Sequence, residues 1–240
     1  MTKPGAIAAI FLLLIGACAE VPRATPTPFN SRFPVLGPNP SFSLSTLPGD
    51  WAVEGRSDIA PEQLDLTQKD GVPALAVTNG NRGFILVRRI DTSLIVTPYL
   101  SWSWLLEYQN NPFHPVRLII GFHGGAPENR SWGSQPFRWL GSELPPHDRA
   151  LSLAWGDSAL QRGTLSESDS ARRNIPRYVV RGGRENVGTW WLETLDLMAL
   201  YRKAWPDDDF NRSRIVFIGL AAEGGRDPSP AYISGIVLSR

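Results

Sequence analysis

From about residue 41 to the C-terminus, short apolar or alternating runs are broken again and again by clusters of Gly, Pro, Asn and Asp. This punctuation constrains the fold more than any other feature. Runs this short cannot make packed helices, but they have the length of strands. The strand candidates are residues 74–78, 83–90, 99–107, 116–122, 150–155, 177–181, 189–193, 214–220 and 231–238. Only 195–205 reads as a helix: Leu195, Met198, Ala199 and Arg202 follow helical spacing, and Pro206 with three aspartates ends it. Nine or ten strands with one short helix predict an all-β sandwich. No internal repeat recurs at a fixed period.

The N-terminus has a different character. Lys3 precedes an apolar stretch over residues 6–14, and Ile15-Gly16-Ala17-Cys18 follows. The stretch is too short to span a bilayer, which takes roughly 20 apolar residues. It resembles a bacterial lipoprotein signal closed by a lipobox. The resemblance implies removal of residues 1–17, a thioether-linked diacylglycerol on Cys18 and acylation of the new amino group. Ala19 stands where an aspartate often marks inner-membrane retention, so the expected address is the outer membrane, facing the periplasm. Ala17-Cys18-Ala19 also fits an ordinary secretory cleavage site. Next come six prolines, at positions 22, 26, 28, 34, 38 and 40. The segment 18–40 is therefore expected to be a Pro-rich tether, reaching at most roughly 70 Å at ~3.1 Å per residue. The sandwich domain is expected to occupy 41–240.

Composition narrows the partners. Of 24 basic and 23 acidic side chains in the full chain, removal of Lys3 with the signal leaves 23 of each. A formal charge of zero argues against nucleic acid, whose binding rests on phosphate neutralisation. Cys18 is the only cysteine, so no disulfide is available and packing must hold the fold.

Several runs in sequence order carry a second resemblance: Tyr99-Leu100-Ser101-Trp102-Ser103-Trp104, Arg117-Leu118-Ile119-Ile120-Gly121-Phe122 and Leu151-Ser152-Leu153-Ala154-Trp155-Gly156. The segment from Thr189-Trp190 to Leu200 and the final Ala231-Tyr232-Ile233-Ser234-Gly235-Ile236 complete the series. Together they resemble a bacterial envelope family known as domain of unknown function 3047, over roughly residues 50–240. The resemblance implies a galactose-binding-like jelly roll, a sandwich shared by many carbohydrate-binding modules. It implies no activity. Where that family carries an Asp-rich turn, this chain has Ala221-Ala222-Glu223-Gly224-Gly225-Arg226, so any ligand or ion role of the turn is not expected here.

Nine tryptophans are many for such a chain. Leu100, Trp102, Trp104 and Leu106 share one strand face, as do Leu151, Leu153 and Trp155, which predicts core positions for these tryptophans. Trp190 and Trp191 must point to opposite faces. Residues 124–149 form a long irregular connection. In it, Trp132 and Trp139 are the expected ligand platform, with Arg138 and Asp148 as polar partners; packing of the aromatics onto the sheet is the competing reading.

Enzymatic signatures are weak. His123-Gly124-Gly125 resembles an esterase oxyanion loop, but no G-x-S-x-G nucleophile motif exists. The histidines at 114, 123 and 147 lack metal-binding spacing. Asp207-Asp208-Asp209 is expected to be a solvated turn rather than a calcium loop. Glu107, Asp157, Glu193 and Asp196 are the carboxylates a glycosidase could draw on. No metal or cofactor is expected. The leading expectation is a non-catalytic binding domain for a glycan or envelope polysaccharide. A structural factor binding another envelope protein and an envelope glycoside hydrolase are the alternatives.

Overall fold

The computed structural model describes residues 21–26, 32–55, 62–126, 143–166 and 175–240. The chain folds as a β-sandwich of jelly-roll type. In order come β1 (Arg32–Pro34), β2 (Trp51–Glu54), β3 (Leu64–Lys69), β4 (Val72–Thr78), β5 (Phe84–Ser93), β6 (Tyr99–Leu106), β7 (Val116–His123) and β8 (Arg149–Gly156). There follow β9 (Leu165–Ser166), β10 (Arg177–Gly182), β11 (Trp191–Asp196), α1 (Leu197–Ala204), β12 (Arg214–Ala222) and β13 (Pro230–Ser239).

A six-stranded sheet has the order β11-β6-β13-β4-β3, with β1 also paired to β13. A seven-stranded sheet has the order β2-β5-β12-β7-β8-β10-β9. β10 runs parallel to β8, beside otherwise antiparallel neighbours. Side-chain alternation turns one face of each sheet inward. Leu75, Trp102, Trp104 and Ile233 from the first sheet meet Leu86, Ile120, Leu153, Trp155 and Leu220 from the second. Burying each such side chain contributes roughly 1.5–3 kcal/mol.

The expected positions for Trp102, Trp104 and Trp155 are confirmed, all three being buried. Their indoles meet edge to face: Trp102 and Trp104 are 5.4 Å apart, Trp104 and Trp155 5.6 Å. In that geometry ring edge meets ring face with favourable electrostatics. The predicted helix forms as α1. Asp196 caps it, its carboxylate accepting from the Ala199 N–H at 2.9 Å.

More strands form than the runs suggested. β3 and β4 make a two-residue hairpin through Asp70 (φ 52°) and Gly71 (φ 79°). Such a turn needs two residues with positive φ, and Asp-Gly supplies them. The stretch from Arg32 to Leu36, expected within the tether, is built into the sandwich. β1 pairs Arg32 with Ser239 and Pro34 with Val237. The N–H groups of Val35 and Leu36 donate to Ile236 O, and both side chains are buried. Its prolines do not forbid this, because β1 needs only three residues on a strand edge. Cys18 and the signal lie outside the described residues.

The second face of the seven-stranded sheet is also covered. Rows of residues cross its strands: Glu54–Ile85–Ala221–Arg117, then Ala52–Val87–Gly219–Ile119–Ser152–Arg177, then Arg89–Phe217–Gly121–Ala150. Ala52, Ile85, Val87, Ile119, Leu144 and Phe217 form a second apolar cluster there. Phe217 can lie flat on the sheet because Gly121 has no side chain; a Cβ there would sit 2.0 Å from the ring.

Candidate functional site

Of the four residues expected to bind ligand, Trp132, Arg138 and Trp139 lie outside the described residues. Asp148 is described, and it closes the base of the long connection. Its carboxylate accepts from the Gly124 N–H at 2.8 Å and the Ala126 N–H at 3.4 Å, and lies 2.5 Å from His123 Nδ1. The Asp148 N–H donates to Phe122 O at 2.9 Å. One side chain thus ties the exit of β7 to the entry of β8. The His-Gly-Gly run belongs to the same joint. Gly124 adopts φ 93°, a conformation that costs glycine little. A Cβ on Gly125 would lie 2.0 Å from Ser213 Oγ and 2.4 Å from Tyr201 Oη. The two glycines are needed for close packing.

Asp208 overturns the expectation of a wholly solvated acidic turn. Its carboxylate is buried, and Arg149 grips it with both Nε (2.8 Å) and Nη2 (2.9 Å). The Tyr201 hydroxyl donates to it at 2.8 Å. Burial pushes the Tyr201 hydroxyl well above its usual range. The group satisfies a buried charge with a two-pronged ion pair and a third hydrogen bond.

Three of the four carboxylates singled out for hydrolysis hold structure. Glu107 takes Lys69 Nζ at 2.8 Å. Glu193 is buried beneath Arg181 and accepts from Trp104 Nε1 at 3.4 Å. Asp196 caps α1. Among the described residues, no three His, Cys, Asp or Glu side chains gather as a metal ion requires. Trp191 packs under the Arg181 guanidinium at 3.8 Å and donates to Asn186 O, while Trp190 donates to Lys69 O. Trp190 lies just before β11, so the two indoles find different acceptors without the strand alternation expected of them.

The fourth carboxylate, Asp157, faces a surface cleft of about 100 Å³ at one end of the sandwich. Tyr108, Gln109, Asn110 and Asn111 form one wall, from the loop between β6 and β7; Asp157 and Arg184 face them from the loops after β8 and β10. Trp155 and Val187 also line it. Tyr108 stays 47% exposed, and the Arg184 guanidinium lies 5.2 Å from its ring centre. The Tyr108 hydroxyl donates to Asn110 Oδ1 at 2.8 Å. Backbone bonds brace the walls: Asp157 N–H to Pro112 O at 3.0 Å, His114 N–H to Trp155 O at 2.9 Å. Behind them His114 is fully buried, and burial lowers its pKa to about 4. An aromatic ring, three side-chain amides, a carboxylate and a guanidinium thus converge on one opening. Sequence reasoning passed over this run as strand punctuation. Its signal was an aromatic followed by three consecutive amide side chains.

A second concavity of about 250 Å³ lies on the covered face of the seven-stranded sheet, lined by Glu54, Phe84, Ile85, Arg117, Ala221 and Glu223, among others. Arg117 pairs with Glu223. Burial pushes the Glu54 carboxyl above the usual carboxylate range. Glu54 accepts from the Glu143 N–H at 3.1 Å, and Glu143 in turn pairs with Arg89 at 2.6 Å. These side chains are engaged in holding the connection onto the sheet.

The chain is similar in structure to a family 11 carbohydrate-binding module from Clostridium thermocellum in complex with a mixed-linked tetrasaccharide, at 7% identity and TM-score 0.37. The match covers 79% of this chain and 88% of that one. It is similar to TmCBM61 in complex with β-1,4-galactotriose at 7% identity and TM-score 0.32, over 79% and 88% of the two chains. It is also similar to the family GH12 endoglucanase 3 of Trichoderma harzianum, at 8% identity and TM-score 0.42, over 88% and 95%. No curated protein matches it in sequence. Residues 50–236 match the family described as "Protein of unknown function (DUF3047)", and the chain belongs to that family.

Proposed function

We propose that this protein is a lipid-anchored glycan-binding module of the bacterial envelope, held at the outer membrane and facing the periplasm. The observation that carries the binding reading is the cleft around Tyr108. Sugars are recognised by an aromatic face against their C–H surfaces and by amides, carboxylates and guanidinium groups against their hydroxyls. Tyr108, Gln109, Asn110, Asn111, Asp157 and Arg184 supply that set around one opening. The address is supported by Lys3, the apolar stretch 6–14, Ile15-Gly16-Ala17-Cys18, and Ala19 in place of aspartate.

The test uses the chain from residue 18 with Cys18→Ser, applied to immobilised peptidoglycan, lipopolysaccharide and neutral polysaccharides. Wild type is compared with a Tyr108→Ala, Asn111→Ala variant and with a Trp132→Ala, Trp139→Ala variant. Binding lost only in the first supports the cleft. Loss only in the second moves the site to the connection 124–149. No binding by wild type overturns the glycan reading and directs the search to a protein partner, by crosslinking in the envelope.

A further inference from the structure

The N-terminal segment is fastened to the sandwich well before the domain boundary expected from sequence. Ala24 bridges Ile90 on β5: its N–H donates to Arg89 O at 3.0 Å, and its carbonyl accepts from Asp91 N–H at 3.1 Å. Ala24 packs on the core, and Pro22 lies close to Gly49. Cys18 precedes Ala24 by six positions, with only five residues between them. Fully extended, those six steps span roughly 20 Å at ~3.3–3.6 Å per residue, far short of the reach expected of a free tether. A lipid on Cys18 therefore brings the sandwich itself to the bilayer.

Near this attachment two branched apolar side chains stand exposed. Ile90 is three residues from the end of β5, about 10 Å along the strand. There the chain turns into β6, and the turn presents Ile95 (47% exposed) and Val96 (41% exposed) to solvent. The neighbours on either side, Leu94 and Thr97, are buried. The turn is braced: Val96 and Thr97 N–H groups donate to Ser93 O at 3.1 and 3.2 Å, and Leu94 N–H donates to Ser213 O at 3.0 Å. Tyr99, which follows at the start of β6, is also exposed. Charges of both signs belong to this end of the sandwich: Arg32, Arg212, Arg214 and Arg240 are exposed there, with Asp91 paired to Arg214 and Asp209 in the turn before β12. The arginines suit the headgroup layer, and branched apolar side chains on a rigid tip suit the boundary between headgroups and acyl chains.

The Tyr108 cleft lies diagonally opposite. Its walls come from the far ends of the strands, where β6, β8 and β10 finish, and β8 and β10 lie across the seven-stranded sheet from β5. We propose that the corner formed by Ala24 and the β5–β6 turn rests on the lipid surface, with Ile95 and Val96 entering the interface. The cleft then points away from the membrane. This rests on the reading that Cys18 is acylated.

The experiment uses the full-length acylated protein in phosphatidylethanolamine/phosphatidylglycerol vesicles containing brominated lipid. A fluorophore is attached at Ile95→Cys or, separately, at Asn110→Cys. Acylation of the same preparations is read by incorporation of an alkynyl fatty acid, with Cys18→Ser as the control. The expected result is incorporation at Cys18 and quenching several-fold stronger at position 95 than at 110. Incorporation with equal, reversed or absent quenching overturns the orientation and leaves the anchor standing. A crosslinked dimer through position 95 under those conditions assigns the tip to a second copy instead. Without fatty-acid incorporation, the anchor and the orientation fall together. None of these outcomes bears on whether the cleft binds sugar.

Discussion

Arg181 on β10 and Glu193 on β11 join the two sheets along one flank: Nε of one lies 2.5 Å from Oε1 of the other. Their side chains are only 13% and 3% exposed. The pair closes the flank of the sandwich next to the cleft, roofed by Trp191 and floored by Trp104. Removing one member of a buried pair strands the other without its counter-charge. Glu193→Ala is expected to cost about 3–5 kcal/mol, and the double Arg181→Met, Glu193→Leu variant distinctly less. Chemical denaturation of the three proteins checks this; equal losses in single and double variants would refute it.

His114 makes stability depend on pH. Its folded pKa is about 4 against 6.5 for the free group, because burial disfavours the charged form. Between those values the unfolded chain binds a proton that the folded chain excludes. Stability therefore falls as pH drops from 6.5 towards 4 and levels off below. The contribution, complete above 6.5, amounts to roughly 3 kcal/mol at ~1.4 kcal/mol per pKa unit. Burial lowers the pKa of His147 in the same direction. The measurement is the difference between wild type and His114→Gln in urea midpoint at pH 7 and pH 4.5. The variant should show the smaller drop.

Asp148 is expected to act as a clamp. Asp148→Ala leaves the Gly124 and Ala126 amides without their acceptor and should cost about 1–3 kcal/mol. Amide hydrogen exchange at residues 124 and 126 should accelerate, while exchange in β13 stays slow. Acceleration spread evenly over the domain would argue against a local clamp.

The Tyr201 hydroxyl on Asp208 gives a graded series. Tyr201→Phe removes one hydrogen bond and should cost about 1–2 kcal/mol, whereas Asp208→Ala also strands Arg149 and should cost about 3–5 kcal/mol. Thermal unfolding of both ranks them; a larger loss for Tyr201→Phe would contradict the arrangement.

Gly121 is packed against the Phe217 ring, so Gly121→Ala forces one of the two to move. A cost of about 1–3 kcal/mol is expected, by analogy with other overpacked cores. A Phe217→Leu background should shrink that cost, measured as a double-mutant cycle in denaturant.

The strand series was legible because its residues alternate or run apolar between turn-formers, and period is a local property. Trp102 and Trp104 could be assigned to the core from Leu100 and Leu106 in the same phase. Pro206 marked the end of the helix, whereas its start fell two residues later than the spacing suggested, because Leu195 belongs to β11 and Asp196 caps α1. β3 was overlooked because Asp65, Thr67 and Gln68 dilute its pattern, although Asp70-Gly71 marked the hairpin beyond it. β1 carries no pattern of its own; it exists because β4 pairs only with residues 230–233 and leaves the C-terminal part of β13 open on that side. The cleft was invisible for a related reason. Tyr108, Asp157 and Arg184 come from three loops, and only the pairing of β10 alongside β8 brings the last two together. Asp208 resembled its acidic neighbours until Arg149 and Tyr201 enclosed it.

The sequence by itself determined the class of fold, the faces that are buried and the family, because each depends on patterns carried by residues close together along the chain. The tertiary structure decided which charges are buried, that residues 32–36 of the Pro-rich segment join the sandwich, and which loops share an opening. Those are contacts between residues far apart in sequence, and sheet order and register create them.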